Sequence, residues 1–388
     1  MLGVTRKAPR EAGRRDACGR VQPSRAPRRA RGGRHRRRYS RPDGGRYGDR
    51  VEHRPGLAPA VAAVRLAVRR ALEPLAVAHA GAPVIVALSG GADSLALAAA
   101  TAFEAPRLGL RAASLTIDHG LQSGSDEVAT AAARQAGRLG LDPLIVRVEV
   151  TAEGEGLEAA ARSARYRALT DAARDVGAAA VLLGHTLDDQ AETVLLGLGR
   201  GAGARSLQGM AGERRDEASG VVLLRPLLDV RRTTTREACI AEGLAPWDDP
   251  HNLDPRFARV RVRQAALPAL EDALGPGVAE ALARTAEQLR EDQEAFDEMI
   301  AETIEDIVEP AEAGIAISVA ALAANPAALR NRIIRHVVAS EFHVSLTRAQ
   351  TLEVARLVTD WRGQGPLDLP GCAAQRDGRL VVFTARSA

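Results

Sequence analysis

The chain has 388 residues, 46% hydrophobic but only 3% aromatic, enough for one large or two ordinary domains with cores of Ala, Val and Leu. No run of about 18 apolar residues occurs and no apolar stretch follows the basic start, which argues against a membrane span and a secretory signal. Cys18, Cys239 and Cys372 form no CxxC pair, which argues against a disulfide scaffold, a zinc knuckle or an iron–sulfur site and suits a reducing cytoplasm.

The net charge of +4 is unevenly spread. Residues 1–55 carry 18 Lys+Arg against 5 Asp+Glu, and the remainder carries 35 against 44. The single lysine, Lys7, lies in the basic stretch. The remainder must therefore handle phosphates with Arg, backbone N–H groups or a metal, and can use no lysine as Schiff base or general base.

Residues 1–55 are rich in Arg, Gly and Pro and lack apolar periodicity, so a disordered tail is expected. It reads as an extension outside the folded part, with a nucleic-acid arm as the functional alternative. From residue 58 an amphipathic helix is expected to 79. Strands at 84–88, 112–118, 144–150 and 179–184 then alternate with helices at 94–104, 125–139, 156–176 and 188–198. Such alternation predicts an α/β fold, an open parallel sheet with helices on both faces. A further strand is expected at 221–226. The polar, Pro-containing stretch 247–255 divides a nucleotide-binding domain, 56–250, from a C-terminal domain, 251–388. In the latter, 258–305 and 318–359 have helical periodicity, and 365–372 with 379–384 form a small β element.

The strongest local signal is Ser-Gly-Gly-Ala-Asp-Ser (89–94), between the first strand of the alternation and the helix after it. Gly90 and Gly91 let backbone approach a phosphate, and Ala92 opens a helix whose free N–H groups favour an anion. Ser89 and Ser94 add hydroxyls. Asp93 cannot bind phosphate directly, so its useful role is to hold Mg²⁺. The string lacks the Gly-Lys ending of a Walker A loop and is not GxGxxG. Its bland reading is an ordinary strand–helix turn with an acidic cap.

Two further strings flank the same expected site. In the helix from 156, Glu158, Arg162 and Arg165 share one side, followed by Tyr166; a solvated, salt-bridged face is the bland alternative. In Gly-His-Thr-Leu-Asp-Asp-Gln-Ala-Glu-Thr (184–193), Asp188, Asp189 and Glu192 fall in one first turn. They suit a metal or a substrate amine, against the bland reading of helix capping. The Gly/Arg stretch 199–210 follows, with Arg200 and Arg205 as candidates to stabilise charge near a transferred phosphate.

The 89–94 string resembles the PP-loop of ATP pyrophosphatases. Taken in order with Asp-His-Gly (118–120), 158–166, 184–196, 199–203, Leu-Leu-Arg-Pro-Leu-Leu (223–228), Asp-Asp-Pro-His-Asn (248–252) and 256–263, it is similar to the tRNA(Ile)-lysidine synthase family over roughly residues 80–270. His251 and Val260 depart from that family's commoner Ser and Asn. The resemblance implies ATP and Mg²⁺ as cofactors. Free L-lysine and a tRNA(Ile) with a CAU anticodon are the implied substrates. The C2 oxygen of the wobble cytidine would be adenylated, and the lysine amine would then displace AMP. By position, Asp93 would hold Mg²⁺, Ser89, Gly90, Gly91 and Ser94 pyrophosphate, and Asp189 and Glu192 would face lysine and cytosine. Arg162, Arg165, Arg256, Arg259, Arg261 and Arg263, with Arg330, Arg332 and Arg335, are the candidate tRNA contacts. A homodimer is left open. The rival readings are another PP-loop enzyme such as a thiolase, a non-catalytic nucleotide-binding module, and an RNA-binding protein driven by the basic tail.

Overall fold

The computed structural model describes residues 56–388 except 119, 121–123, 149–156, 202, 312–313 and 387–388. The side chains of 157–159, Glu158 among them, and the expected disordered tail 1–55 lie outside the described residues. The first half runs α1 (Pro59–Ala78), β1 (Pro83–Ala87), α2 (Ala92–Glu104), β2 (Arg111–Asp118), α3 (Ser125–Leu139), β3 (Asp142–Arg147), α4 (Leu157–Asp175), β4 (Ala180–Leu182), α5 (Leu187–Gly199), α6 (Gly203–Leu207), β5 (Glu213–Arg215), β6 (Val222–Leu224) and α7 (Arg232–Ala241).

Six strands form one sheet in the order β3-β2-β1-β4-β6-β5, parallel except for β5. In β1, Val84 and Val86 share a core with Val61, Val64, Val68 and Leu72, a stripe at helical spacing on α1. Ile85 faces the opposite layer, against Leu169 and Ala173 of α4. A strand covered on both faces needs the continuous apolar run that 83–87 supplies. Proline opens α1 where its missing N–H is unneeded, and Gly140, at φ 90°, closes α3.

The second half runs α8 (Ala258–Arg261), a π-helical turn (Val262–Ala266), α9 (Leu267–Leu274), α10 (Val278–Ile307), β7 (Val308–Ala311), β8 (Gly314–Ser318), α11 (Val319–Ala324), α12 (Ala327–Phe342), α13 (Arg348–Thr359), β9 (Leu367–Leu369), β10 (Cys372–Asp377) and β11 (Leu380–Ala385). α10 joins the two halves: Ala279 packs with Leu187 and Ala191 of α5, whereas Ile300 and Ile307 enter the C-terminal core. That core lies between α12, α13 and an antiparallel sheet of order β7-β8-β11-β10-β9.

The expected fold class stands, but the β content is larger than expected. β5 is all charged and exposed, so it carries no apolar signal. β7 contains Pro310 and occupies a sheet edge, where a missing N–H is tolerated. β8, Gly-Ile-Ala-Ile-Ser, runs straight into α11 and falls almost wholly in 306–317, a stretch for which no element is expected. No helix among the described residues is long and apolar enough to cross a membrane.

Candidate active site

β1 has β2 on one side and β4 on the other, so the loops leaving β1 and β4 diverge and open a crevice at the carboxyl ends of the strands. The loop after β1 is 88–91. Gly90 has φ 85°, a left-handed value that favours glycine, and its carbonyl accepts the Trp247 N–H at 2.9 Å. The Ser94 hydroxyl donates to the Gly91 carbonyl at 2.9 Å, accepts the Ser89 N–H at 3.2 Å and lies 3.1 Å from the Ser89 hydroxyl. The expected cradle is thus held by its own serines.

The loop after β4 touches it. A Cβ on Gly184 would come within 3.1 Å of the Ser94 nitrogen and 3.2 Å of the Asp93 carbonyl carbon, both backbone atoms that cannot swing away. Asp93, in the first turn of α2, points into the crevice. Its Oδ1 accepts the Thr235 hydroxyl, and its Oδ2 lies 3.5 Å from Arg232 Nε. Burial pushes the Asp93 carboxyl above its ordinary pKa, against the opposing pull of Thr235 and Arg232.

On the facing wall the three carboxylates of α5 part company. Asp188 Oδ2 accepts the backbone N–H of Arg232 at 2.7 Å, tying α5 to the first residue of α7, and its Oδ1 lies 3.5 Å from Arg231. Asp189 Oδ2 accepts both the N–H and the hydroxyl of Thr186 at 2.9 Å, whereas Oδ1 takes Arg232 Nη2 at 2.8 Å. The capping reading and the site reading therefore each describe one oxygen. Burial pushes the Asp189 carboxyl up, but Arg232, the Thr186 N–H and nearby cations outweigh it and hold the group below its ordinary pKa.

Glu192 is 0% exposed and meets three guanidinium groups. Arg263 Nε donates at 2.7 Å and Arg232 Nη1 at 3.1 Å to Oε1, and Arg259 Nε lies 3.3 Å from Oε2. Arg263 belongs to the π-helical turn, a device that re-aims side chains at functional sites. Beside them, the buried His185 Nδ1 has no hydrogen-bond partner among the described residues, and burial pushes its pKa down to about 4, so the ring is neutral.

The structure separates the remaining candidates. Arg259 and Arg263 turn inward onto Glu192, so they are not the free surface cations expected for tRNA. Arg256 pairs with Asp254 at 2.6 Å, and Arg261 donates to the Pro255 carbonyl at 2.7 Å; both are exposed. Arg162 and Arg165 are exposed, 5.6 and 5.8 Å from the Tyr166 ring centre. Arg200 and Arg205 are also exposed. Among the described residues Arg205 makes no hydrogen bond or ion pair to the three carboxylates; partial burial, then Arg332, Arg348 and Arg205, lower the Arg335 pKa, which places Arg205 in the field of the C-terminal arginines. Arg332 stacks 3.9 Å over Phe296, and Arg330 donates to the Asn325 carbonyl at 3.1 Å. Val260, the departure from the commoner Asn, is buried.

Arg232 is the residue that sequence reasoning missed. A signal was present: Arg231 and Arg232 open a helix, where its positive end disfavours cations unless carboxylates face them. Cys239 and Cys372 are free and buried, and burial pushes the Cys239 thiol up to about 11.

The fold resembles that of the U34-tRNA thiolase NcsA from Methanococcus maripaludis, with a TM-score of 0.51 at 18% identity over 60% of this chain and 80% of that one. Residues 65–270 match the family model of a PP-loop domain, and residues 317–381 that of a TilS substrate binding domain. A tRNA(Ile)-lysidine synthase of Leifsonia xyli subsp. xyli is 59% identical over 305 residues, 78% of this chain and 90% of the relative. Another from Salinispora arenicola is 53% identical over 332 residues, 84% of this chain and 97% of the relative. One from Thermobifida fusca is 51% identical over 332 residues. The chain belongs to the tRNA(Ile)-lysidine synthase family, ATP-using PP-loop ligases that modify tRNA.

Proposed function

We propose that this chain ligates the amine of free L-lysine to C2 of the wobble cytidine of a tRNA(Ile) with a CAU anticodon, through an adenylated cytidine. ATP is consumed to AMP and pyrophosphate. The observation that carries the reading is the meeting of two walls at one crevice: the phosphate loop with Asp93 on one side, Asp189 and Glu192 on the other.

The loop 89–94 takes the leaving pyrophosphate on its N–H groups and serines. A Mg²⁺ fits here. Asp93 offers one hard oxygen ligand beside the loop, and no group of three or more metal-ligating side chains occurs among the described residues. That is the pattern for an ion held by one carboxylate and substrate phosphates rather than by a protein cage. When bound, the ion neutralises charge on those phosphates. Asp189 and Glu192 receive the lysine ammonium and orient the amine, whose protons pass to solvent. The C2–N bond forms as the C2–O bond to AMP breaks. His185, neutral and with its Nδ1 unpartnered among the described residues, stands beside them as a donor or acceptor for a base edge.

For the tRNA backbone, the exposed Arg162, Arg165, Arg256 and Arg261, and the Arg205, Arg332 and Arg335 group, are the cations that stay outside the inner cluster. Local patches suffice where net charge does not help. Two buried cysteines, one with a strongly raised pKa, give a thiolase reading no support. Their free state suits the cytoplasm. Incubation with ATP, labelled lysine and a CAU-anticodon tRNA(Ile) transcript tests the reading. Label should enter the tRNA only when all three are present, with AMP released in equal amount. AMP release without lysine transfer would overturn it.

A further inference from the structure

Asp93, Asp189 and Glu192 face three arginines, Arg232, Arg259 and Arg263, so the cluster is electrically balanced before any substrate arrives. The three arginines are not equivalent. Arg259 and Arg263 reach the cluster from the segment 258–266 and hold Glu192. Arg232 alone among the described residues bridges all three carboxylates: Nη2 to Asp189 at 2.8 Å, Nη1 to Glu192 at 3.1 Å, Nε to Asp93 at 3.5 Å. Its backbone N–H is pinned by Asp188 at 2.7 Å, so only the side chain is free to leave.

An ammonium ion or a divalent cation seeking these oxygens competes with that guanidinium. Both Asp93 oxygens are engaged, by Thr235 and Arg232, and both Asp189 oxygens, by Thr186 and Arg232. Admitting another cation while Arg232 stays would crowd positive charge in a partly dry pocket, where repulsion is strong. Nucleotide changes the balance. Its phosphates, seated on the adjoining loop, are better partners for a planar guanidinium, which binds phosphate through two parallel hydrogen bonds. The longest of the three contacts, to Asp93, lies on the phosphate-loop side.

We propose that Arg232 is an exchange residue: it covers the carboxylates in the nucleotide-free chain, moves onto the nucleotide phosphates when they bind, and thereby uncovers the amine pocket. Lysine binding then depends on nucleotide binding. Glu192 keeps Arg259 and Arg263 throughout, so the pocket loses one cation without collapsing. This rests on the assignment of Asp189 and Glu192 to the lysine amine. Arg232 acts through the carboxylates and is a positioning residue for lysine.

Calorimetric titration of the full chain with L-lysine tests the exchange, without nucleotide and with Mg²⁺ plus an α,β-methylene ATP analogue that cannot be cleaved. The wild type should bind lysine about tenfold tighter or more with the analogue, an ordinary size for coupled sites. Arg232→Gln should bind lysine with nearly the same affinity in both conditions, because its pocket is uncovered from the start. Arg232→Lys, which keeps the charge but cannot span three carboxylates, should show coupling reduced from the wild type. Equal wild-type affinity in the two conditions overturns the proposal, and does so even if neither variant folds. Full coupling in Arg232→Gln overturns it too. Asp189→Asn is the control for the underlying assignment: if it binds lysine as the wild type does in both conditions, the amine pocket itself lies elsewhere and the exchange falls with it.

Discussion

The phosphate loop and the carboxylate–arginine cluster touch at Gly184, yet they are built in opposite ways. The loop is local: within 89–94, two serines bond each other and nearby backbone, and two glycines shape the turn. The cluster is assembled from a distance. Asp189 meets Arg232 across 43 positions, and Glu192 meets Arg263 across 71. The loop loses little if one side chain is trimmed, because its ligands are largely backbone. The cluster holds a buried carboxylate that water cannot rescue. Removing a partner there should cost folding as well as catalysis, whereas removing one from the loop should cost catalysis alone.

The largest effect is expected from Glu192→Gln. The change keeps the shape but removes the one charge that three guanidinium groups face in a fully buried position. Breaking a buried pair in this way costs about 3–5 kcal/mol. Denaturant unfolding should report that loss, with lysine transfer falling in parallel. A variant as stable as the wild type would mean that the arginines are solvated in solution, and the contrast between the two regions would be lost.

Asp93→Ala should do the reverse. Burial raises the Asp93 pKa, so removing the carboxyl relieves a desolvation cost as well as breaking two contacts. Pyrophosphate release should fall at least about a hundredfold, the ordinary scale for losing an electrostatic contact to a reacting group. The midpoint of thermal unfolding should stay close to that of the wild type. Full activity at normal stability would remove Asp93 from the phosphate site.

The contrast also explains what was legible in the sequence. The strands and helices between 58 and 199 follow from short-range patterns, alternating apolar runs and amphipathic stripes, and they were placed to within a few residues. The phosphate loop was legible for the same reason, since the bonds of its two serines span at most five positions. Arg232 was not, because its three acidic partners lie 40 to 139 positions away and no local rule pairs them. The four arginines of 256–263 read alike in sequence, but helical phase sends Arg259 and Arg263 inward to Glu192 and leaves Arg256 and Arg261 outside. The short strands β5 and β7 lacked alternation or carried proline, so only the sheet they border identifies them.

Gly184→Ala tests the joint between the regions. Its methyl would press on the backbone of Asp93 and Ser94 at 3.1–3.2 Å, closer than ordinary contact. Overpacking of this kind costs about 1–3 kcal/mol. A stability loss in that range should come with a shifted phosphate loop and a raised apparent KM for ATP. An unchanged KM for ATP would mean that the two loops tolerate sliding past each other.

The smallest expected effect is a pH shift, and it separates catalysis from stability at one residue. Thr235→Val removes the hydroxyl that donates to Asp93 and helps to hold its pKa down, so the carboxyl pKa should rise further above 3.8. Activity that needs the ionised form is lost as pH falls through the folded-state pKa. The acid limb of the kcat/KM profile should therefore move to higher pH than in the wild type. Stability runs the other way. A carboxyl whose pKa is higher in the folded state than in the unfolded chain favours folding most when protonated, and that contribution is lost as pH rises from 3.8 to the raised value. Within that window the variant should therefore become less stable, relative to its own value at lower pH, as pH rises, while its activity increases. Measuring both curves on one preparation decides whether Asp93 titrates alone. If the acid limb does not move while the stability curve does, ionisation of Asp93 does not limit the reaction, and the group that sets the limb belongs to the carboxylates on α5.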